Sequence, residues 1–149
     1  MRIFIDADAC PKPVREILYK AGTRFSVELI LVANQALQIP QSPLIRLLQV
    51  SKGFDEADNE IVRLLEAGDL VVTSDIPLAS DAIAKGAQAL NPRGKLYTLD
   101  NIQQQLAVRD LMSHLRDNQQ ISGGAGAYNL QDKGNFANAL DRLLAQARK

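Results

Sequence analysis

The 149-residue chain reads as an α/β protein, a three-layer, doubly wound and mainly parallel sheet with a helical C-terminal third. Three observations predict this class. Short β-rich apolar runs alternate with stretches of helical periodicity. The runs are separated by helix-length connections, which parallel strands require and antiparallel hairpins do not. The run Val27–Val32 is nearly continuous in its apolar character, as expected of a strand covered on both faces.

Each element follows from local pattern. Arg2–Ile5 is a strand, and Pro11 or Pro13 opens a helix whose Val14, Ile17, Leu18 and Ala21 share a face before Gly22. After the strand at Val27–Val32, Pro40-Gln41-Ser42-Pro43 punctuates a loop, and Ile45–Val50 is a third strand. A helix after Gly53 groups Ala57, Ile61, Leu64 and Leu65 and stops near Gly68. Asp69–Thr73 is a strand, and Pro77 begins a helix that runs to Gly86. A short strand at Ala87–Leu90 leads into Asn91-Pro92-Arg93-Gly94, a turn by composition. The last third is helical: Leu99, Ile102 and Leu106 continue into Val108, Leu111, Met112 and Leu115, and Phe136, Leu140, Leu143 and Leu144 mark a C-terminal helix. Neither a repeat nor a boundary divides the chain, so residues 1–149 are expected to form a single domain.

Composition bounds the function. Hydrophobic residues make up 46% and charged residues 23%, the balance of an ordinary globular domain. Lys plus Arg and Asp plus Glu are 17 each, which argues against tight coating of duplex DNA, where many phosphates must be neutralised. A local basic rim remains compatible with that total. The single cysteine allows no intrachain disulfide. No apolar run approaches a membrane span and the first residues read as a strand, so a cytoplasmic protein with no membrane association is expected.

The chemistry-bearing residues are aspartates at chain reversals. Arg2–Ile5 runs into Asp6-Ala7-Asp8, and side chains two apart on an extended chain share a face about 6–7 Å apart. Val71-Val72-Thr73-Ser74 leads to Asp75 in the same way, and Asp55-Glu56-Ala57-Asp58 precedes a helix. In open α/β sheets, ligands bind at the carboxyl ends of strands. Carboxylates gathered there without a set of His or Cys suit Mg²⁺ or Mn²⁺.

Each acid also has a purely structural reading. Asp6 or Asp8 can cap the first helix, Asp55 can cap the next, and Asp55, Glu56 and Glu60 can be solvated. Two carboxylates held close repel unless a cation or proton neutralises them, which makes the pair more informative than either member. Asp58, one turn into its helix, is the candidate that faces across the rim, and Asp81 is a weaker one. Thr73 or Ser74 can orient a water or phosphate oxygen, or cap. Lys12 and Arg93 are candidates for holding a phosphate backbone, with Lys95, Arg109 and Arg116 as surface cations that can do the same. Cys10 reads as a packed residue and His114 as a surface one. Gly123–Gly126 lacks a following Lys-Ser or Lys-Thr, so it is no P-loop; it reads as an interhelical linker or a lid over phosphate.

Asp6-Ala-Asp-Ala-Cys-Pro11, Gly53-Phe-Asp-Glu-Ala-Asp-Asn59, Thr73-Ser-Asp-Ile-Pro-Leu-Ala79, Asn91-Pro-Arg-Gly94 and Leu106-Ala-Val-Arg-Asp-Leu-Met112 together resemble the YaiI/YqxD family of uncharacterised bacterial proteins over nearly the whole chain. The resemblance implies a PIN-like fold, whose nuclease members bind divalent metal through clustered acids. By position, Asp6 and Asp75 match the strand-end acids, Asp58 the helix-borne acid, and Asp8 an extra carboxylate of this family. The tail departs from the pattern: Gly123-Gly124-Ala125 is followed by Asp132-Lys133, where the family often has Gly-Gly-Pro and an Asp-Arg pair.

The resulting expectation is a metal-dependent phosphodiesterase acting on RNA or single-stranded nucleic acid. Asp6, Asp8, Asp58 and Asp75 would hold Mg²⁺ or Mn²⁺, and Lys12, Ser74 and Arg93 would hold substrate. Two rivals stand beside it. One is a haloacid-dehalogenase-like phosphatase with Asp6 as nucleophile and Asp8 as general acid/base. The other is a non-catalytic module that binds nucleic acid or protein.

Overall fold

A computed structural model describes residues 1–53, 56–117 and 127–147. Asp55 and Gly123–Gly126 lie outside the described residues, as do the side chains of Arg109, His114 and Arg116. The strands are β1 (Arg2–Asp6), β2 (Glu28–Ala33), β3 (Ile45–Gln49), β4 (Leu70–Val72), β5 (Gln88–Leu90) and β6 (Leu96–Tyr97). The helices are α1 (Lys12–Phe25), α2 (Glu56–Leu64), α3 (Ile76–Ala84), α4 (Leu99–Asp117) and α5 (Leu130–Ala147).

The described strands form one six-stranded sheet in the order β3-β2-β1-β4-β5-β6. All pairings are parallel except β5 with β6. The chain winds outward from β1 through β2 to β3, then returns to the other side of β1 for β4. The order therefore reverses between β1 and β4.

Alternation along the central strand divides the core. Ile3 and Ile5 face one side with Val14 and Leu18 of α1 and Phe136, Leu140 and Leu144 of α5. Phe4 faces the other with Ile61 of α2, Leu78 and Ala82 of α3 and Ile102 of α4. Side chains on successive strand residues point to opposite faces, so a strand buried on both sides must be apolar throughout. Ile3, Phe4 and Ile5 are each fully buried.

At the amino end of the sheet, Asp69 joins β1 to the approach to β4. Its Oδ1 accepts from the Arg2 N–H at 3.0 Å, and its Oδ2 accepts from Arg2 Nη2 and from the Glu66 N–H, both at 3.0 Å. Every charge in this buried group thus has a partner.

Three sequence expectations are corrected. Helix α1 does not stop at Gly22 but continues to Phe25. Gly22 packs against Leu29, whose side-chain atoms would lie 3.0 Å from an added Cβ, and Ser26 at φ 56° ends the helix by donating to the Gly22 and Thr23 carbonyls. Residues Ala7–Ala9 form a 3-10 turn, so Asp8 does not continue the extended chain of Asp6. Neither aspartate caps α1, which begins behind Pro11 with no side-chain cap. Leu96–Tyr97, between the turn and the helical third, forms a short antiparallel strand with β5.

The β5–β6 turn is clamped to α5. Tyr128 Oη donates to the Pro92 carbonyl at 2.9 Å, and Arg93 Nη1 donates to Asp132 Oδ2 at 2.7 Å. Gly94 (φ +94°) lets the two backbones touch, because an added Cβ would stand 2.6 Å from the Asn135 carbonyl carbon. Gly68 (φ +91°) has open space around that position. Gly94→Ala should therefore combine the left-handed backbone penalty with a backbone clash, about 3 kcal/mol or more, whereas Gly68→Ala should cost about 1–2 kcal/mol. Urea denaturation of the two variants checks the difference; equal losses would refute the close approach at Gly94.

Candidate functional site

Because the strands β1 to β5 run in one direction, their carboxyl ends share a rim. Asp6 ends β1, Asn34 follows β2, Thr73 to Asp75 follow β4 and Asn91 follows β5. The strand-order reversal lies between β1 and β4, and Asp6 and Thr73 meet there.

Thr73 Oγ1 donates to Asp6 Oδ2 at 3.0 Å and accepts from the Asp75 N–H at 3.0 Å. A hydroxyl has one proton to give, so the two contacts define its orientation. Asp6 is 7% exposed and Thr73 1%. Burial pushes the Asp6 carboxyl above its ordinary range; the Thr73 hydrogen bond opposes this, and the charges of Asp75 and Asp8 add to it. The neighbouring charges at this carboxylate are thus of like sign.

Asp75 is the N-cap of α3, its Oδ1 accepting from the Leu78 N–H at 3.0 Å, with Pro77 in the first turn. The cap holds its carboxylate at the helix start, where the macrodipole favours negative charge. Asp8 is exposed and its Oδ2 accepts from the Asn34 N–H at 2.8 Å. The 3-10 turn thus takes Asp8 toward the end of β2 while leaving its charge within reach of Asp6.

Asp58 is half-buried in the first turn of α2. The charges that raise Asp6 include those of Asp75 and Asp8. Ser74 and Lys12 are exposed at the rim. Arg93, expected to grip phosphate, instead pairs with Asp132 and lies 5.9 Å from the Tyr128 ring centre. Asp81 is exposed on α3. Cys10 is a buried free thiol, pushed up to about 12 chiefly by desolvation, which suits a packed residue rather than a nucleophile.

Two neighbours of the site were not foreseen. Tyr97 on β6 is buried, and its hydroxyl is pushed up by burial and by the Asp75 charge, against a 3.5 Å hydrogen bond from Asn91 Nδ2. Asn91 Oδ1 also accepts from the Arg93 and Lys95 N–H groups at 2.9 Å, shaping the turn that returns Tyr97 to the sheet. The turn residues Asn91–Gly94 followed by Leu96-Tyr97 are a hairpin signal. Asn34 has no such signal, because its role is a backbone N–H.

Among the described residues, no group of three or more His, Cys, Asp or Glu side chains is assembled as a metal cage. What the rim offers is a pair, Asp6 and Asp75, on neighbouring strand ends, with Asp8 beside them. Mg²⁺ is commonly held by one or two carboxylates, with waters and substrate phosphates completing its shell. The donor chemistry fits an ion of that kind.

A family model described as "Uncharacterized BCR, YaiI/YqxD family" matches residues 4–146. The chain is 59% identical over 146 residues to a UPF0178 protein of Thioalkalivibrio sulfidiphilus, covering 98% of this chain and 99% of the relative. It is 54% identical over 149 residues to a UPF0178 protein of Hahella chejuensis, covering 100% and 99%. A UPF0178 protein of Idiomarina loihiensis is 56% identical over 145 residues, 97% of this chain and 99% of that one. No solved structure matches the chain significantly.

The raised Asp6 carboxyl has a consequence for stability. Asp6 holds its proton more tightly in the folded chain than in the unfolded one, where the value is near 3.8. Its ionisation therefore opposes folding: the penalty is absent below the unfolded value and grows as pH rises through the folded one. Asparagine can still accept the Thr73 hydrogen bond. In chelator, Asp6→Asn should melt above the unsubstituted protein at neutral pH, with the difference closing as pH falls toward about 4. Thermal melts across pH check this, and a variant less stable at neutral pH would refute it.

Proposed function

Since the chain belongs to the YaiI/YqxD family, whose relatives carry names that state no activity, we propose from the rim itself that this protein is a divalent-metal-dependent phosphodiesterase acting on RNA or single-stranded nucleic acid. The observation that carries the reading is the Asp6–Thr73–Asp75 connection at the strand-order reversal. Burial together with the Asp75 and Asp8 charges raises the need of the Asp6 carboxylate for a positive partner. The PIN-like arrangement implied by the sequence resemblance belongs to the same proposal.

In this reading Asp6 and Asp75 hold Mg²⁺ or Mn²⁺, with Asp8 as a neighbouring or water-mediated contact. Such an ion lowers the pKa of a bound water and stabilises charge on phosphoryl oxygens. The protein's own part is positional. Thr73 keeps one Asp6 oxygen occupied and so orients the carboxylate. The α3 cap holds Asp75 in place through Oδ1, which accepts from the Leu78 N–H. Asp58, at the start of α2, is a second-line contact on this reading, and Lys12 and Ser74 are exposed where a phosphate backbone would pass. Arg93 has no place in it, being tied to Asp132.

The phosphatase reading draws less from the geometry, because the Asp8 carboxylate accepts from Asn34 on the exposed 3-10 turn. A binding module without turnover remains the rival that experiment must separate.

Calorimetric titration with Mn²⁺ should give saturable binding that is lost in Asp6→Asn/Asp75→Asn. Asparagine preserves the cap at position 75, so the double variant should remain folded. Cleavage of a single-stranded RNA with Mn²⁺ should fall about a hundredfold or more in that variant, equivalent to about 3 kcal/mol in the barrier. Undiminished cleavage would remove these aspartates from the mechanism, and metal binding with no cleavage by the unsubstituted protein would favour the binding module.

A further inference from the structure

Beside the acidic rim, the opening turns of α1 carry a feature of opposite charge. A cavity of about 110 Å³ is lined by Lys12, Arg15, Glu16, Tyr19 and Gln38. At about 30 Å³ per water it has room for a few waters, the scale of a tetrahedral oxyanion. Arg15 Nε is buried in the protein with no hydrogen-bond partner. No ion pair engages Lys12 or Arg15 among the described residues, although Arg2, Arg24, Arg46, Arg63 and Arg93 are all paired. Nε itself is closed to solvent, so the groups that can meet an anion from outside the chain are the rest of the half-buried Arg15 and the exposed Lys12, two cations that line the same cavity.

The cavity is not isolated. Tyr19 also lines a larger groove of about 640 Å³ between α1 and the Pro40–Pro43 loop, where Lys20 and Thr23 continue the same helix. Lys12, Arg15, Tyr19 and Thr23 recur at three- and four-residue spacing, so they share a stripe along α1. At the other end, the Cys10 thiol feels both the Arg15 cation and the Asp6 carboxylate, so the Arg15 cavity and the rim lie within electrostatic reach of one residue. Charge therefore runs from acidic to basic to aromatic along one path.

We propose that this stripe of α1 is a track for single-stranded nucleic acid leading to the acidic rim, with Arg15 and Lys12 holding a backbone phosphate and Tyr19 stacking on a base. The inference rests on the phosphodiesterase reading for the meaning of the rim, and its own observations are the Lys12 and Arg15 cations that line one cavity without an ion pair among the described residues and the Tyr19 shared with the neighbouring groove. Phosphate is the ligand that suits a planar guanidinium beside an ammonium. Aromatic stacking beside a cationic groove is how sequence-tolerant single-strand binding works. Glu16 on the cavity wall is the one repulsive group, and it limits the site to partners that bring their phosphate to the Arg15 side.

The test uses the full chain and a fluorescein-labelled oligouridylate of about twelve nucleotides, long enough to cross a single-strand site, followed by anisotropy in EDTA so that neither metal nor cleavage contributes. Arg15→Gln should weaken binding about tenfold and make the slope of log affinity against log salt shallower by about 0.7, the loss of one phosphate contact to a single strand. Its melting temperature should be unchanged or raised, since the substitution removes an unsatisfied buried group; a marked fall in melting temperature would make Arg15 structural and overturn the proposal. Tyr19→Leu should weaken binding with the salt slope unchanged. Absence of RNA binding by the unsubstituted protein, or binding insensitive to Arg15, would also overturn it. Failure of the phosphodiesterase reading looks different: Arg15-dependent binding in EDTA would persist while the protein with Mn²⁺ cleaved nothing.

Discussion

The Thr73 hydroxyl is the contact on which the carboxyl-end rim depends. It donates to a nearly buried Asp6 carboxylate and accepts from the N–H of Asp75, so a single group serves the last residue of β1 and the cap of α3. A buried carboxylate without a hydrogen bond would be strongly penalised. The Thr73 bond lets Asp6 stay at the rim while the apolar residues before it fill both faces of the sheet. The second bond, from the Asp75 N–H to the Thr73 hydroxyl, brings the chain from β4 into α3 at a fixed angle, because Asp75 must present its N–H to Thr73 and its side chain to Leu78.

The two ends of the sheet treat charge differently. At the amino end, Asp69 is satisfied by Arg2 and by two backbone N–H groups, and these bonds tie β1 to the approach to β4. At the carboxyl end, Asp6, Asp8 and Asp75 form no ion pair among the described residues, while Arg15 nearby has an unpartnered nitrogen. Folding alone favours pairing or exposing such groups. Unpaired acids beside an unpaired cation are the pattern expected where ligands supply the missing partners, and they explain why the functional reading rests on this end.

Much of the architecture was legible because burial writes a period into the chain. The continuous apolar run of β2 and the short run of β4 mark strands covered on both faces, and the Pro and Gly residues mark the joints. The errors are also physical. Gly22 resembled a helix stop, but its lack of a side chain serves contact with Leu29 across the helix–sheet interface. Leu96–Tyr97 is two residues long, too short for alternation to register, and exists because the clamped Asn91–Gly94 turn delivers it to β5. The Asp6-Ala7-Asp8 alternation reads as continued strand, yet the backbone turns at Ala7.

The chain by itself determined the α/β class, the strand-end positions of Asp6 and Asp75 and the family, because these follow from residue order and from local hydrophobic periodicity. Only the tertiary structure decided which of those acids share an environment. Asp6 and Thr73 are 67 residues apart and become neighbours through the pairing of β1 with β4; Arg93 pairs with Asp132; and Arg15 becomes conspicuous only once its Nε is found buried without a hydrogen-bond partner. Periodicity reports which face of an element is buried. Which elements then lie side by side, and whose charges remain unanswered, depends on contacts between residues far apart in the chain.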